Sequence, residues 1–168
     1  MKKVMFAASM GGHFTELMNL NTIFNKFNSV LVTDNLFVSQ RDSVCRLFKE
    51  IEYSKAWALK REETAGITTT RSRWQSVFTY AKMCIECCLI YYRHKPAVVI
   101  STGSYIAVPL FVCAKFCGAK TIYIESNARV YSKSKTGVIV EKLSDKIYVQ
   151  WPEMLQQYPN SEYHGILL

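Results

Sequence analysis

Charged side chains are scarce in this chain. Asp, Glu, Lys and Arg supply 20% of its 168 residues, and acidic groups are the scarcer kind, 13 against 21 Lys and Arg, which leaves a formal net charge of +8. Few charges with a basic surplus describe an apolar protein carrying a few basic patches, suited to anionic headgroups, sugar nucleotides, diphosphates or nucleic acid. A second absence argues against nucleic acid: the chain has no recognised nucleic-acid-binding motif and no basic run interleaved with aromatics. A secretory signal is missing too, because the apolar run behind Lys2-Lys3 is short, breaks at Gly11-Gly12 and reads as a first strand. The expected setting is the reducing cytoplasm, with all six cysteines as thiols. Cys84, Cys87 and Cys88 share one face of a helical run, as do Cys113 and Cys117, all among apolar neighbours. Small buried hydrophobes fit them better than a zinc site, which needs converging ligands set among turns. Internal repeats and low-complexity tracts are also lacking, and the length suits one domain with a full core over residues 1–168.

What the chain does have is Gly11-Gly12-His13, set between the apolar run Val4 to Ala8 and a helix-like run from Phe14 to Phe27. That is the layout of a strand-to-helix turn. Paired glycines allow positive φ and let a ligand approach without meeting a Cβ. The helix behind them presents unpaired N–H groups that favour phosphate or diphosphate. A neutral imidazole at the mouth of such a turn can take a proton near neutral pH. The same residues also suit a plain turn in which His13 caps the helix, and the motif alone leaves the two readings level. It is not the GxGxxG dinucleotide motif, since the run reads Ala7-Ala8-Ser9-Met10-Gly11-Gly12-His13.

Hydrophobic periodicity predicts strands at Lys3 to Ala8, Ser29 to Thr33, Glu50 to Tyr53, Ala97 to Ser101, Thr121 to Glu125 and Lys146 to Val149. Helices are predicted at Phe14 to Phe27, Ser39 to Lys49, Arg73 to His94, Tyr105 to Phe116 and Thr136 to Leu143. The alternation implies an α/β, doubly wound, Rossmann-like parallel sheet covered by helices. Val98-Val99-Ile100 has no polar alternation, as a strand buried on both faces requires. Ligands bind such sheets at the carboxyl ends of strands, where strand order reverses. Three loops qualify: Ser9 to His13, Ser101 to Tyr105 and Glu125 to Arg129. For the second, a ligand contact and an N-cap from Ser104 to the Tyr105 helix are equally good readings. For the third, a ligand-facing role is favoured over a surface turn by its place in the topology.

The run Arg73 to Lys95 repeats Trp74, Val77, Phe78, Ala81, Ile85, Cys88, Leu89 and Tyr92 at near-helical spacing, with Arg71 and Arg73 at one end and Arg93, His94 and Lys95 at the other. Lys82 and Glu86 in its middle disfavour a bilayer crossing. Two readings stay open: a helix lying on the membrane through Arg73, Trp74, Phe78, Arg93 and Lys95, or an ordinary core-packing helix. Tyr105 to Phe116 is expected against the sheet, and Tyr53 to Ser72 as an exposed, mobile loop.

Met10-Gly11-Gly12-His13, Ser101-Thr102-Gly103-Ser104-Tyr105, Glu125-Ser126-Asn127 and Tyr158-Pro159-Asn160-Ser161-Glu162-Tyr163-His164-Gly165 fall in the order seen in the amino-terminal half of GT-B glycosyltransferases. Over nearly its whole length the chain resembles the acceptor-binding half of the peptidoglycan N-acetylglucosaminyltransferase that makes lipid II. More closely, it is similar to the acceptor-binding, membrane-associating subunit of two-chain enzymes, namely the dolichol-pathway N-acetylglucosaminyltransferase and its bacterial relatives in capsule and exopolysaccharide synthesis. That resemblance implies a UDP-sugar-dependent, inverting transferase whose donor site lies on a partner chain. Single-chain enzymes continue past a point like Gly165 into a second Rossmann-like domain. The implied acceptor is a polyprenyl-diphosphate-linked sugar, met as a peripheral protein at the cytoplasmic face of the plasma membrane, with no metal or other cofactor and little activity in the chain alone.

Residue by residue, the resemblance implies His13 as general base or acceptor-positioning group and Glu125 as a second catalytic candidate. Gly11 and Gly12 would face the acceptor's diphosphate, Thr102, Gly103 and Ser104 would line the same cleft, and Asn127 would face the acceptor sugar or the donor site. Two departures stand out: Ala8-Ser9-Met10 replaces a more glycine-rich loop, and Ser104 stands where a second glycine is usual. Two other classes remain in view, a non-catalytic scaffold that recruits a transferase to membranes and a stand-alone nucleotide-binding enzyme. The latter has only Asp34 as a ribose-binding candidate.

Overall fold

Period-two alternation along the first strand sets the layering. β1 (Lys3–Ala7) sends Val4 and Phe6 into one core and Met5 and Ala7 into the other. The computed structural model describes residues 1–9, 11–34, 42–54 and 73–167, the side chains of residues 73–75 excepted. After β1 come α1 (Gly12–Met18), α2 (Asn21–Phe24), β2 (Asn28–Thr33), α3 (Asp42–Cys45), β3 (Glu50–Tyr53) and α4 (Arg73–His94). The chain continues through β4 (Val98–Ser101), α5 (Ala107–Phe116), β5 (Lys120–Ile124), α6 (Lys135–Val140), β6 (Lys146–Val149) and β7 (Glu162–Tyr163), with 3-10 turns at Glu141–Leu143 and Pro152–Gln156. The seven strands lie in the order β3-β2-β1-β4-β5-β6-β7, and every pairing is parallel. This is the doubly wound sheet that the alternation implied.

The two faces are filled differently. α4, α5 and α6 cover the Met5 and Ala7 face, where Met83, Cys87, Tyr91, Leu110, Phe111 and Val140 are buried. On the other face α1, α2 and α3 bring Leu17, Phe24 and Val44 onto Phe6, and Phe6, Phe24 and Phe48 cluster with ring centroids 4.5–5.9 Å apart. α5 is buried against the sheet through Ala107, Pro109, Leu110, Phe111, Cys113 and Ala114, and Pro109 falls in its first turn, where a missing N–H leaves no helical bond unmade.

Several boundaries differ from the sequence expectation. The run Phe14 to Phe27 is two short helices parted at Asn19 and Leu20, and the first begins at Gly12, so His13 lies in its opening turn. The helix expected from Tyr105 begins at Ala107, because Gly103 at φ +124° and Ser104 at φ +83° hold the preceding chain in the left-handed region. Glu125 lies just past β5, although its N–H still donates to the Tyr148 carbonyl at 2.9 Å. α6 starts one residue early, at Lys135, and tightens into a 3-10 turn after Val140. β7 was not foreseen, and its edge position is held by the Lys146–Glu162 ion pair. The loop expected at Tyr53 to Ser72 lies outside the described residues beyond Ser54, as does the first part of the helix expected at Ser39 to Lys49.

α4 resolves into an inner face of Met83, Cys87, Ile90, Tyr91 and His94 and an outer stripe of Phe78, Ile85, Leu89 and Tyr92, each more than half exposed. Among the described residues no helix is long and apolar enough to cross a membrane. At its end, buried His94 meets Glu52 at 2.7 Å and Glu50 at 3.6 Å, and Arg93 meets Glu52 at 3.0 Å, which pins β3 to α4. Burial acts to raise the Glu52 carboxyl, and the His94 and Arg93 hydrogen bonds outweigh it, holding it below its ordinary value. Of the cysteines, Cys87 and Cys113 are buried and Cys84 and Cys88 half-buried, but Cys117 is exposed at the end of α5, against the expectation. The Cys88 and Cys113 sulfurs lie 3.1 Å apart. Burial pushes the Cys113 thiol up to about 12, as for a packing residue rather than a reactive thiolate.

Candidate functional site

Strand order reverses between β1 and β4, since β1 leads outward to β2 while β4 leads the other way to β5. The crevice above their carboxyl ends is where a doubly wound sheet takes its ligand. α1 ties three loops together there. Gly11 adopts φ +102° and ψ −150°, a conformation open to glycine, and its carbonyl accepts from the N–H groups of Phe14 and Thr15 at 3.0 and 3.1 Å. A Cβ at Gly11 or Gly12 would meet nothing within 4 Å among the described residues, so the turn presents bare backbone there.

His13 is locked by the loop after β4. Its Nδ1 lies 2.9 Å from the Thr102 carbonyl, and Thr102 Oγ1 donates to the His13 carbonyl at 2.6 Å. A carbonyl only accepts, which assigns the proton to Nδ1 and leaves the lone pair on Nε2. The ring lies on Gly103, where a Cβ would come within 2.7 Å of Cε1 and 2.8 Å of Nδ1. Ser101 Oγ clamps the base of the crevice, donating to the Ala7 carbonyl at 2.7 Å and accepting from the Gly103 N–H at 3.1 Å. Ser104 caps nothing with its side chain: its carbonyl accepts from Ala107 at 3.2 Å, while its buried Oγ has no partner among the described residues.

The loop after β5 is held by Glu16, one turn along α1 from His13. Glu16 is buried, and its Oε1 accepts from Ser126 Oγ at 2.8 Å and from the Asn127 N–H at 3.0 Å. Trp151 Nε1 donates to the Asn127 carbonyl at 2.6 Å, leaving the Asn127 residue exposed beside the crevice.

Glu125 is placed differently. Only 1% exposed, its carboxylate accepts from Tyr123 Oη and the Ser126 N–H on one oxygen, and from Tyr158 Oη, the Ser134 N–H and Ser134 Oγ on the other, at 2.6–3.2 Å. Ser134 is also the N-cap of α6, accepting from Gly137 at 2.9 Å. Burial first, and the Glu125 carboxylate second, push the Tyr123 and Tyr158 hydroxyls well above the usual phenol range, so both stay protonated donors. This carboxylate organises the interior behind the crevice.

The structure therefore brings Gly11, Gly12, His13, Thr102, Gly103 and Ser104 to one place, joins Asn127 to them through Glu16, and sets Glu125 behind them. Arg93 and Lys95 lie at the end of α4 that leads into the start of β4, away from this crevice. Phe78 lies toward the other end, two residues before Tyr80, whose ring meets Tyr105 of the loop after β4 at 6.2 Å, and the side chains of Arg73 and Trp74 are outside the described residues. Among the described residues no three His, Cys, Asp or Glu side chains gather as a metal site. Sequence reasoning gave no site role to Glu16, Tyr123, Ser134 or Trp151, met Tyr158 only as the start of a motif, and missed Gln150, whose Nε2 donates to the Glu125 carbonyl at 3.0 Å. One signal was available: Glu16 is the first acidic residue of the chain, three positions after His13.

An all-parallel sheet of seven strands with this crevice defines the class as the amino-terminal half of a GT-B-like fold. It aligns with MurG from Acinetobacter baumannii (TM-score 0.67, 14% identity, 91% of this chain and 43% of that one). It aligns equally with UDP-GlcNAc 2-epimerase from Neisseria meningitidis bound to UDP-GlcNAc (TM-score 0.65, 14% identity, 98% and 47%). The chain spans less than half the length of either structure, and at this identity the likeness is one of fold.

Within that class the chain belongs to the Alg14-like family of oligosaccharide biosynthesis proteins, whose pattern matches residues 4–167. Its relatives include proteins named UDP-N-acetylglucosamine transferase subunit ALG14. That of Yarrowia lipolytica is 31% identical, over 99% of this chain and 81% of its own length. Those of Candida albicans (30%, 94% and 74%) and Homo sapiens (26%, 96% and 81%) are similar over nearly the same extent.

Proposed function

We propose that this chain is the acceptor-binding and activating subunit of an inverting, UDP-sugar-dependent glycosyltransferase whose donor site lies on a partner chain. The acceptor is a polyprenyl-diphosphate-linked sugar, extended in capsule, exopolysaccharide or a related glycan. Family membership and the relatives' names as transferase subunits support the reading. The observation that carries it is the His13 ring, held through Nδ1 by Thr102 at the reversal of strand order, with no hydrogen-bond partner for Nε2 among the described residues. In this mechanism the acceptor hydroxyl gives its proton to Nε2 as its oxygen attacks the anomeric carbon of the donor sugar, while the bond from that carbon to the diphosphate oxygen breaks and UDP departs with the electron pair. The imidazolium so formed is steadied by the Nδ1–H bond to the Thr102 carbonyl. The bare backbone of Gly11 and Gly12 admits the diphosphate, Asn127 faces the sugar, and Glu125 keeps the β5 loop and α6 in place. The proposed step uses no metal or other cofactor.

The test is transfer from a panel of UDP-sugars to a polyprenyl-diphosphate-linked monosaccharide by this chain, by the protein encoded beside it, and by the two together. Transfer confined largely to the mixture is expected. Equal transfer without this chain reduces it to a scaffold, and UDP-sugar binding by the chain alone revives the stand-alone enzyme.

Attachment to the cytoplasmic face of the membrane is assigned to the outer stripe of α4, with Arg93 and Lys95 at its end. Burying a Phe or Leu side chain is worth about 1.5–3 kcal/mol. Phe78→Asp with Leu89→Asp is therefore expected to weaken co-sedimentation with anionic phospholipid vesicles by at least about tenfold. Undiminished binding by that variant removes α4 from the membrane contact.

A further inference from the structure

The cysteines take no part in the proposed transfer, yet four of them crowd one seam. Cys84, Cys87 and Cys88 of α4 and Cys113 of α5 pack into the same core cluster. The Cys113 S–H is directed at the Cys88 sulfur, 3.1 Å away. Carbon atoms, which are smaller than sulfur, rest at about 3.5–4.0 Å, so these two sulfurs are pressed closer than packing alone asks. An S–S bond is about 2.05 Å long, and about 1 Å of further approach closes one here. The two thiols differ in exposure. Cys113 is buried, and burial pushes its thiol up to about 12, whereas Cys88 is half-buried. A thiol held protonated in the interior does not attack an oxidant by itself. Cys88 adjoins Leu89 and lies one helical turn from Ile85 and Tyr92 of the exposed stripe, so it is the member that an oxidant meets first.

We infer that Cys88 and Cys113 form an oxidative modification site, in which a peroxide oxidises Cys88 and Cys113 then closes a disulfide across the seam between α4 and α5. In the first step the Cys88 thiolate takes one oxygen of the peroxide; the O–O bond breaks, and the other oxygen leaves as hydroxide and is protonated to water. In the second, the Cys113 sulfur attacks the Cys88 sulfur and the S–O bond breaks. The departing oxygen takes the bonding electrons and the Cys113 proton, giving a second water. Two thiols together lose two electrons, and one peroxide is reduced. Proximity offsets the protonated state of Cys113, because its sulfur already lies against its target. The bond fastens α4, which carries the outer apolar stripe, to α5, which starts just past the Gly103-Ser104 turn. It is independent of the transfer reaction.

The experiment treats the full chain with hydrogen peroxide and maps it by mass spectrometry without reduction. The exposed thiols are first removed by Cys45→Ser and Cys117→Ser, surface changes with small effects on stability. A link between the Cys88 and Cys113 peptides is expected in most molecules, with an intact mass lower by about two units and full reversal by dithiothreitol. Adding Cys113→Ala removes the second sulfur. Cys88 is then expected to go on to sulfinic acid, about 32 mass units heavier, which dithiothreitol does not reverse. Urea-unfolded protein, in which nothing holds the pair together, is expected to give scattered pairings. Native protein that keeps both thiols free, or gives the same scatter as the unfolded chain, overturns the inference. So does sulfinic Cys88 while Cys113 is present. Cys88 left unoxidised in Cys113→Ala overturns its place as the first sulfur to react. The map of the parent protein needs no core substitution, so it decides even where Cys113→Ala fails to fold.

Discussion

His13→Ala is expected to lower sugar transfer by the two-chain complex by about 10²–10⁴-fold, the usual contribution of a positioned acid or base, with assembly of the complex unaltered. Gly103→Ala is expected to come close to that loss although Gly103 has no side chain to contribute. Its Cβ would sit 2.7 Å from His13 Cε1, and φ at this position is +124°. The ring has to leave the Thr102 carbonyl or the loop has to shift, and a displacement of about 1 Å at a reacting group costs about 10²-fold. Parallel rate and assembly measurements on both variants check this. Full transfer by His13→Ala removes the imidazole from the chemistry. Full transfer by Gly103→Ala, with His13→Ala inactive, shows that the ring need not lie where Thr102 holds it.

Glu125→Ala is expected to cost about 3–5 kcal/mol of stability, because it strands donors from Tyr123, Ser126, Ser134 and Tyr158 in a buried space. At about 2–4 °C per kcal/mol for a chain of this size, the melting temperature falls by roughly 10 °C. Glu125→Gln also destabilises, since an amide nitrogen replaces one oxygen while every neighbour still donates. Tyr158→Phe removes one such bond and is expected to cost about 1–2 kcal/mol. Thermal and urea unfolding of the three variants measure this. A Glu125→Gln protein as stable as wild type but inactive in transfer would return the carboxylate to the chemistry and end its assignment as an internal brace.

How much of this was legible beforehand follows from the kind of signal each part leaves. Parallel strands buried on both faces leave apolar runs, so six strands and the class of sheet could be read from positions such as Val98-Val99-Ile100. β7 is two residues long and leaves no period to detect. The break between α1 and α2 was hidden because Leu17, Leu20, Ile23 and Phe24 continue a helical spacing across it. At the crevice, Gly11, Gly12, His13 and Gly103 announced themselves because glycines and a histidine after a strand are unusual. Glu125 was noticed for its chemistry and its loop, but its direction depends on Tyr158 and Ser134, which no local pattern ties to it. Glu16 escaped for the opposite reason: a glutamate in a helix is ordinary until its neighbours across the sheet are known.

α1 has seven residues, too few to hold a helix in isolation. Its two anchors lie far along the chain, Thr102 at a separation of 89 residues from His13 and Ser126 at 110 from Glu16. The Gly-Gly-His turn is therefore written near the start of the polypeptide, but both of its anchors come from the loops after the fourth and fifth strands. A chain lacking the fifth strand carries the Gly-Gly-His sequence without the Glu16 anchor, so the loop after β5 is as much a part of this turn as the residues that spell it.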